Sequence, residues 1–143
     1  MALIGTTNEE RIWNFLKAQG MTDCGVAGLM GNLYAESGLI PNNLQNSYEK
    51  TLGYTDAAYT EAVDSGVYVN FTGDSAGYGL AQWTYSTRKA ALLAYAKKTG
   101  KSVGDLEMQL GLLMQEMSTS LKPVLNTVKS ASTLRAGSDA VLG

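Results

Sequence analysis

Chemistry in this chain has to start from carboxylates, because its 143 residues contain no histidine. That excludes every Ser-His-Asp and Cys-His arrangement for nucleophilic catalysis. With Cys24 as the one cysteine, a Cys/His zinc site and an intrachain disulfide are excluded as well. No G-x-x-x-x-G-K-[ST] pattern occurs, so there is no phosphate-cradling P-loop. What remains is carboxylates, hydroxyls, amides, tyrosines and lysines. Glu36 stands out among them because it falls at the C-terminal end of a glycine-rich helical stretch, at the negative pole of the helix dipole. Desolvation by neighbours such as Tyr34, Tyr78 or Trp83 would disfavour its charged form. A carboxyl group that keeps its proton near neutral pH is a general acid, able to protonate a leaving oxygen. The plainer alternative is a helix-end glutamate in solvent.

The elements that must position this residue are legible in the caps and periods. Thr7-Asn8-Glu9-Glu10 reads as a capping box, followed at helical spacing by Ile12, Phe15, Leu16 and Gln19 and stopped by Gly20. Thr22-Asp23 opens the second helix, with Val26, Leu29, Met30 and Leu33 on one face and Cys24, Gly28, Gly31 and Ala35 on another. Glycines inside a helix, here Gly25, Gly28 and Gly31, cost roughly 1 kcal/mol each against alanine. Close approach by another helix is the simplest offset, which predicts that this helix is central. Glu36-Ser37-Gly38 ends it, and Pro41 prevents continuation.

Residues 39–53 read as loop, and Thr55-Asp56 as the start of a short helix through Val63. Val67–Thr72 alternates like a strand, and Tyr78–Trp83 is expected to pair back on it as a hairpin. Helices follow from Ser86 to Lys98, from a Ser102 cap along Leu106, Leu110, Leu113 and Met117, and from Lys122-Pro123 through Lys129. Ser132 is expected to cap a last helix that runs out at Gly143. The predicted class is α+β and mostly helical, with a central glycine-rich helix and one small β-hairpin, in a single domain over 1–143.

Composition sets the outer limits. Apolar residues at 45% and charged residues at 17% fit a globular domain and argue against disorder. A net charge of −2 leaves no basic footprint for nucleic acid. No stretch approaches the ~18 apolar residues of a membrane span. Met1–Ile4 lacks a charged leader, so no signal peptide is expected in this chain. The helical pattern that breaks off at Gly143 predicts a piece of a larger protein with flanking domains.

Two segments carry a family resemblance. Asn32-Leu33-Tyr34-Ala35-Glu36-Ser37-Gly38-Leu39-Ile40-Pro41-Asn42 and Asp74-Ser75-Ala76-Gly77-Tyr78-Gly79-Leu80-Ala81-Gln82-Trp83 resemble the phage tail lysozyme family. More broadly they are similar to goose-type lysozymes and soluble lytic transglycosylases. The likeness runs from about Glu9 to Ala140. It implies a lysozyme-like fold that acts on the glycan strands of peptidoglycan, in a phage virion tail or at the bacterial cell wall. No cofactor and no metal are expected.

The resemblance puts Glu36 where the family has its catalytic acid. It puts Gln82 and Gly77-Tyr78-Gly79 on the sugar cleft; Ser37, Trp83 and Tyr85 are further binding candidates, the two aromatic rings because they could stack on sugars. Asp74 is the second carboxylate candidate, either a general base that activates water or a turn aspartate bonded to its own backbone. The further aspartate of goose-type enzymes is replaced here by Thr84 and Tyr85. Trp83 reads as core or as a sugar platform, and Trp13 as core. Arg88, Lys89, Lys97, Lys98 and Lys101 read as a solvated basic face. Three functions stay open: a muramidase cleaving the MurNAc–GlcNAc bond, which Asp74 favours; a lytic transglycosylase giving anhydro-muramic products; and a non-catalytic wall-binding or tail module.

Overall fold

The computed structural model describes residues 3–132, and the expected helix after Ser132 lies outside them. Among the described residues there are seven helices: α1 (Asn8–Ala18), α2 (Asp23–Ser37), α3 (Asn46–Leu52), α4 (Asp56–Asp64), α5 (Ser86–Thr99), α6 (Leu106–Ser118) and α7 (Lys122–Ser130). They gather into two compact units, one of residues 1–39 and 113–143, the other of residues 40–112.

In the first unit, α1 opens on the predicted capping box. The Thr7 hydroxyl accepts from the Glu10 N–H at 3.1 Å, and Glu10 Oε1 accepts from the Thr7 N–H at 3.2 Å. Hydrogen bonds from the Thr6 hydroxyl and backbone, then the Thr7 backbone, hold the Glu10 carboxyl below its ordinary range. Helix α2 packs on both α1 and α7, around a core of Ile12, Leu16, Val26, Leu29, Leu33, Leu125 and Val128.

The close contact is found at Gly25, and Gly28 of the predicted stripe is buried too. A Cβ on Gly25 would lie 1.9 Å from Val128 O of α7, so only glycine fits there. The same carbonyl accepts from the Thr22 N–H at 3.2 Å, and the Thr22 hydroxyl donates to Ala131 O at 2.6 Å. The N-terminal end of α2 is thus clamped to the C-terminal end of α7. Gly31 was expected in the contact stripe; it is exposed, with nothing within 4 Å of its would-be Cβ.

In the second unit, an aromatic cluster forms the core. Tyr59 lies 5.4–5.9 Å, ring centre to ring centre, from Tyr54, Tyr68, Phe71 and Tyr78. Leu44, Leu80, Trp83 and Leu92 are fully buried beside it. Two expectations fail here. Residues 46–52 form α3 although they read as loop; Gly53, at φ 76°, supplies its left-handed stop. The predicted hairpin is absent among the described residues. Val67 and Val69 do point outward, but their segment pairs with no strand, and its Tyr68 hydroxyl bonds to Asp74 instead. Tyr78 bridges Trp83 within its own segment, N–H to carbonyl at 3.0 and 2.9 Å, and also bridges Leu44. Helix α6 begins at an Asp105 cap, whose carboxylate accepts from the Met108 N–H, rather than at Ser102.

Candidate active site

Glu36 and Ser37 belong to the first unit, and the other site candidates to the second. Glu36 is exposed in the last turn of α2, a turn with no basic residue. Its position is set by the helix exit. Gly38 takes φ 65° and its N–H donates to Tyr34 O at 2.8 Å; Leu39 follows at φ 62°. A left-handed leucine is strained by roughly 1–3 kcal/mol. It is held because its side chain is buried and its carbonyl accepts from Asn8 Nδ2 at 3.1 Å. The chain therefore turns sharply away just after Glu36. Ser37 faces inward, with its hydroxyl on Leu33 O at 3.0 Å. Tyr34 is 64% exposed, so it does not bury the glutamate.

Asp74 sits in the opposite surroundings. Its side chain is 1% exposed and that of Lys89 is fully buried. Oδ1 accepts from Lys89 Nζ at 2.6 Å and from the Ala76 N–H at 3.0 Å. Oδ2 accepts from the Tyr59 hydroxyl at 2.5 Å and the Tyr68 hydroxyl at 2.8 Å. Burial alone would push this carboxyl up. Hydrogen bonds from Lys89, Tyr59, the Ala76 N–H and Tyr68 outweigh it, so the group lies below its ordinary range. Burial pulls the Lys89 ammonium down, against the pull of Asp74. Tyr59 and Tyr68 are pushed up, first by burial and then by their bonds to Asp74, so both remain donors.

The turn that follows is saturated internally. Gly77 exchanges both backbone bonds with Gln45, its N–H to Oε1 at 2.9 Å and its carbonyl from the Gln45 N–H at 2.7 Å. The Gly79 N–H donates to Asn43 O at 2.9 Å, and the Leu80 N–H to Gln109 Oε1 at 2.9 Å. Gln82 Nε2 donates to Asn43 O and Gly79 O, both at 2.9 Å. The glycines make room for protein: a Cβ on Gly77 would meet Gln82 Oε1 at 2.7 Å, and one on Gly79 would meet Gln109 Nε2 at 2.9 Å. Tyr78 and Trp83 are fully buried. The Arg88 guanidinium lies 5.6 Å from the centre of the Trp83 ring. Of the candidates in this unit, Gln82 is half-buried and Tyr85, the N-cap of α5, is 75% exposed.

Lys89 departs from the expected solvated face and is fully buried. Its spacing with Leu92 and Ala96 on the buried stripe of α5 was the available signal. Tyr59 and Gln109 also organise this region, and neither has a motif of its own.

With no histidine to draw on, the mostly helical chain has carboxyl groups as its candidates for acid–base chemistry, with Glu36 open to solvent and Asp74 buried. The model of the phage tail lysozyme family matches residues 7–142, nearly the whole chain, and the chain belongs to that family. This membership makes it a lysozyme-like enzyme with peptidoglycan as substrate, in keeping with a phage tail or cell-wall location. Curated protein sequences give no match. Among the described residues, no helix is long and apolar enough to cross a membrane.

Proposed function

We propose that the chain is the catalytic domain of a cell-wall lytic protein and cleaves the MurNAc–GlcNAc bond of peptidoglycan, with Glu36 as general acid. What supports this reading is the match of the phage tail lysozyme family to residues 7–142, together with a Glu36 carboxyl that is open to a substrate oxygen at the exit of α2. A substrate oxygen can reach that carboxyl without displacing a protein partner from the core. Tyr85 supplies an exposed ring for sugar contact, and Gln82, whose amide nitrogen is engaged by Asn43 O and Gly79 O, can offer only its carbonyl oxygen.

Two routes follow bond protonation. In a muramidase, water attacks the sugar with help from a base. In a lytic transglycosylase, the substrate's own hydroxyl attacks and no second carboxylate is needed. Asp74 favours the second route, because both of its oxygens are already taken up by protein donors. Mass spectrometry of digested peptidoglycan separates the two. Reducing muramic ends establish the muramidase, anhydro ends the transglycosylase, and no released fragments would remove the enzymatic reading.

A further inference from the structure

We propose that Lys89 is a positioning residue that sets the edge formed by Gln82 and Tyr85 for glycan binding. The proposal rests on the peptidoglycan reading above and concerns residues of the second unit alone. Lys89 is fixed at two ends. Its own N–H donates to Tyr85 O at 2.9 Å in the first turn of α5. Its ammonium donates to Asp74 Oδ1 at 2.6 Å, Ala76 O at 2.9 Å and Tyr59 Oη at 3.0 Å. Three donors meet three acceptors, so the ammonium is fully used. The Phe71 ring centre, 4.2 Å away, completes the enclosure.

This geometry ties together the two ends of one short stretch of chain. The ammonium holds Ala76, where the turn begins, and the helix backbone of Lys89 holds Tyr85, where α5 begins. Between them the register passes from Gly77 to Gln45, from Tyr78 to Trp83, and from Gly79 to Asn43 and Gln82. Tyr85 has no side-chain cap of its own to fix it. The Gln82 amide has its own ties to Asn43 O and Gly79 O, so what depends on this tether is the placement of the segment from Ala76 to Tyr85 that carries both groups.

A buried ion pair is a poor route to stability, since apolar residues of similar volume often serve as well or better. What the pair supplies here is directional: one cation that must meet a carboxylate, a carbonyl and a phenol at once. Arginine does not substitute, because its planar fork is larger and cannot converge on three acceptors around one point.

The test uses Lys89→Met, the charge-neutral double variant Lys89→Met with Asp74→Asn, and Lys89→Arg. Melting is followed for each, with amide hydrogen exchange at Gly77, Gly79 and Leu80. KM and kcat are measured on soluble peptidoglycan fragments of alternating GlcNAc and MurNAc. Lys89→Met leaves Asp74 unpaired, so the double variant is the one expected to fold. In that variant the three amides exchange at least ten-fold faster, and kcat/KM falls on the order of 10²-fold, as misplacement of a positioning group does. The loss lies mainly in KM, and Lys89→Arg does not restore it. An unchanged KM in a folded double variant overturns the proposal. So does rescue by arginine, and so does failure of every variant to fold, which would make the pair a requirement of the fold alone. Glu36→Gln is assayed in parallel. If it stays fully active, the assignment of the acid fails, while the exchange rates at Gly77, Gly79 and Leu80 still report on Lys89.

Discussion

Glu36 ends a helix in open solvent, whereas Asp74 is sealed among four donors beneath the aromatic cluster of the second unit. Both are carboxylates next to a sequence motif of the same family resemblance. Their surroundings give them opposite capacities. A group in solvent is open to a substrate oxygen. A group whose charged form is held by an ammonium, two phenols and an amide cannot change its charge without disrupting that set. Proximity to a motif therefore does not separate the two groups; the count of donors around the oxygens does.

The largest expected effect tests the acid side of that contrast. Glu36→Gln keeps the shape of the side chain but removes its proton. We expect wall lysis to fall by ~10²–10⁴-fold, the scale of general acid catalysis, with the melting temperature unchanged. A folded Glu36→Gln protein with wild-type lysis would end the contrast.

Asp74→Ala tests the anchor side. It leaves the Lys89 charge buried without its partner, which is destabilising by about 3–5 kcal/mol. Chemical denaturation should show this as a lower midpoint at unchanged slope. Equal stability of the variant and wild type would show that the network holds little. Titration sharpens the same point. The folded Asp74 carboxyl lies below its usual 3.8, so above that pH the unfolded chain gains nothing by taking up a proton there. Stability from the pair is fully present above that value and drains as pH falls through the lower folded one. Asp74→Asn should flatten this acid limb, and a limb of unchanged steepness would assign it to other carboxyls.

The smaller effects concern how α2 holds its end in place. Gly25→Ala drives a methyl group into Val128 O, and we expect it to destabilise by roughly 1–3 kcal/mol, the range of overpacking. Gly31→Ala meets open space and should gain up to about 1 kcal/mol of helix propensity. Melting curves of the two variants should move in opposite directions. Movement in the same direction would mean that the clamp between α2 and α7 is not where the space at these glycines puts it.

Sequence alone determined the elements with local causes. Thr7, Thr22 and Thr55 cap helices because their hydroxyls reach N–H groups three residues on. Gly38 and Gly100 end helices because they take left-handed φ without strain. The absence of histidine limited the chemistry before any fold was known, and Glu36 was placed at a helix end by the same local signals. Tertiary structure decided the rest. The strand-like alternation of Val67–Thr72 carries no information about a partner, and among the described residues no strand pairs with it. A lysine in a basic run looks solvated until the interior offers it a carboxylate, as Asp74 does to Lys89. Gly25 and Gly31 are the same letter in one helix; only the backbone of α7, brought from a hundred residues away, makes one indispensable. Caps and stops depend on atoms a few residues apart, whereas burial, pairing and charge depend on which distant segments the fold brings into contact.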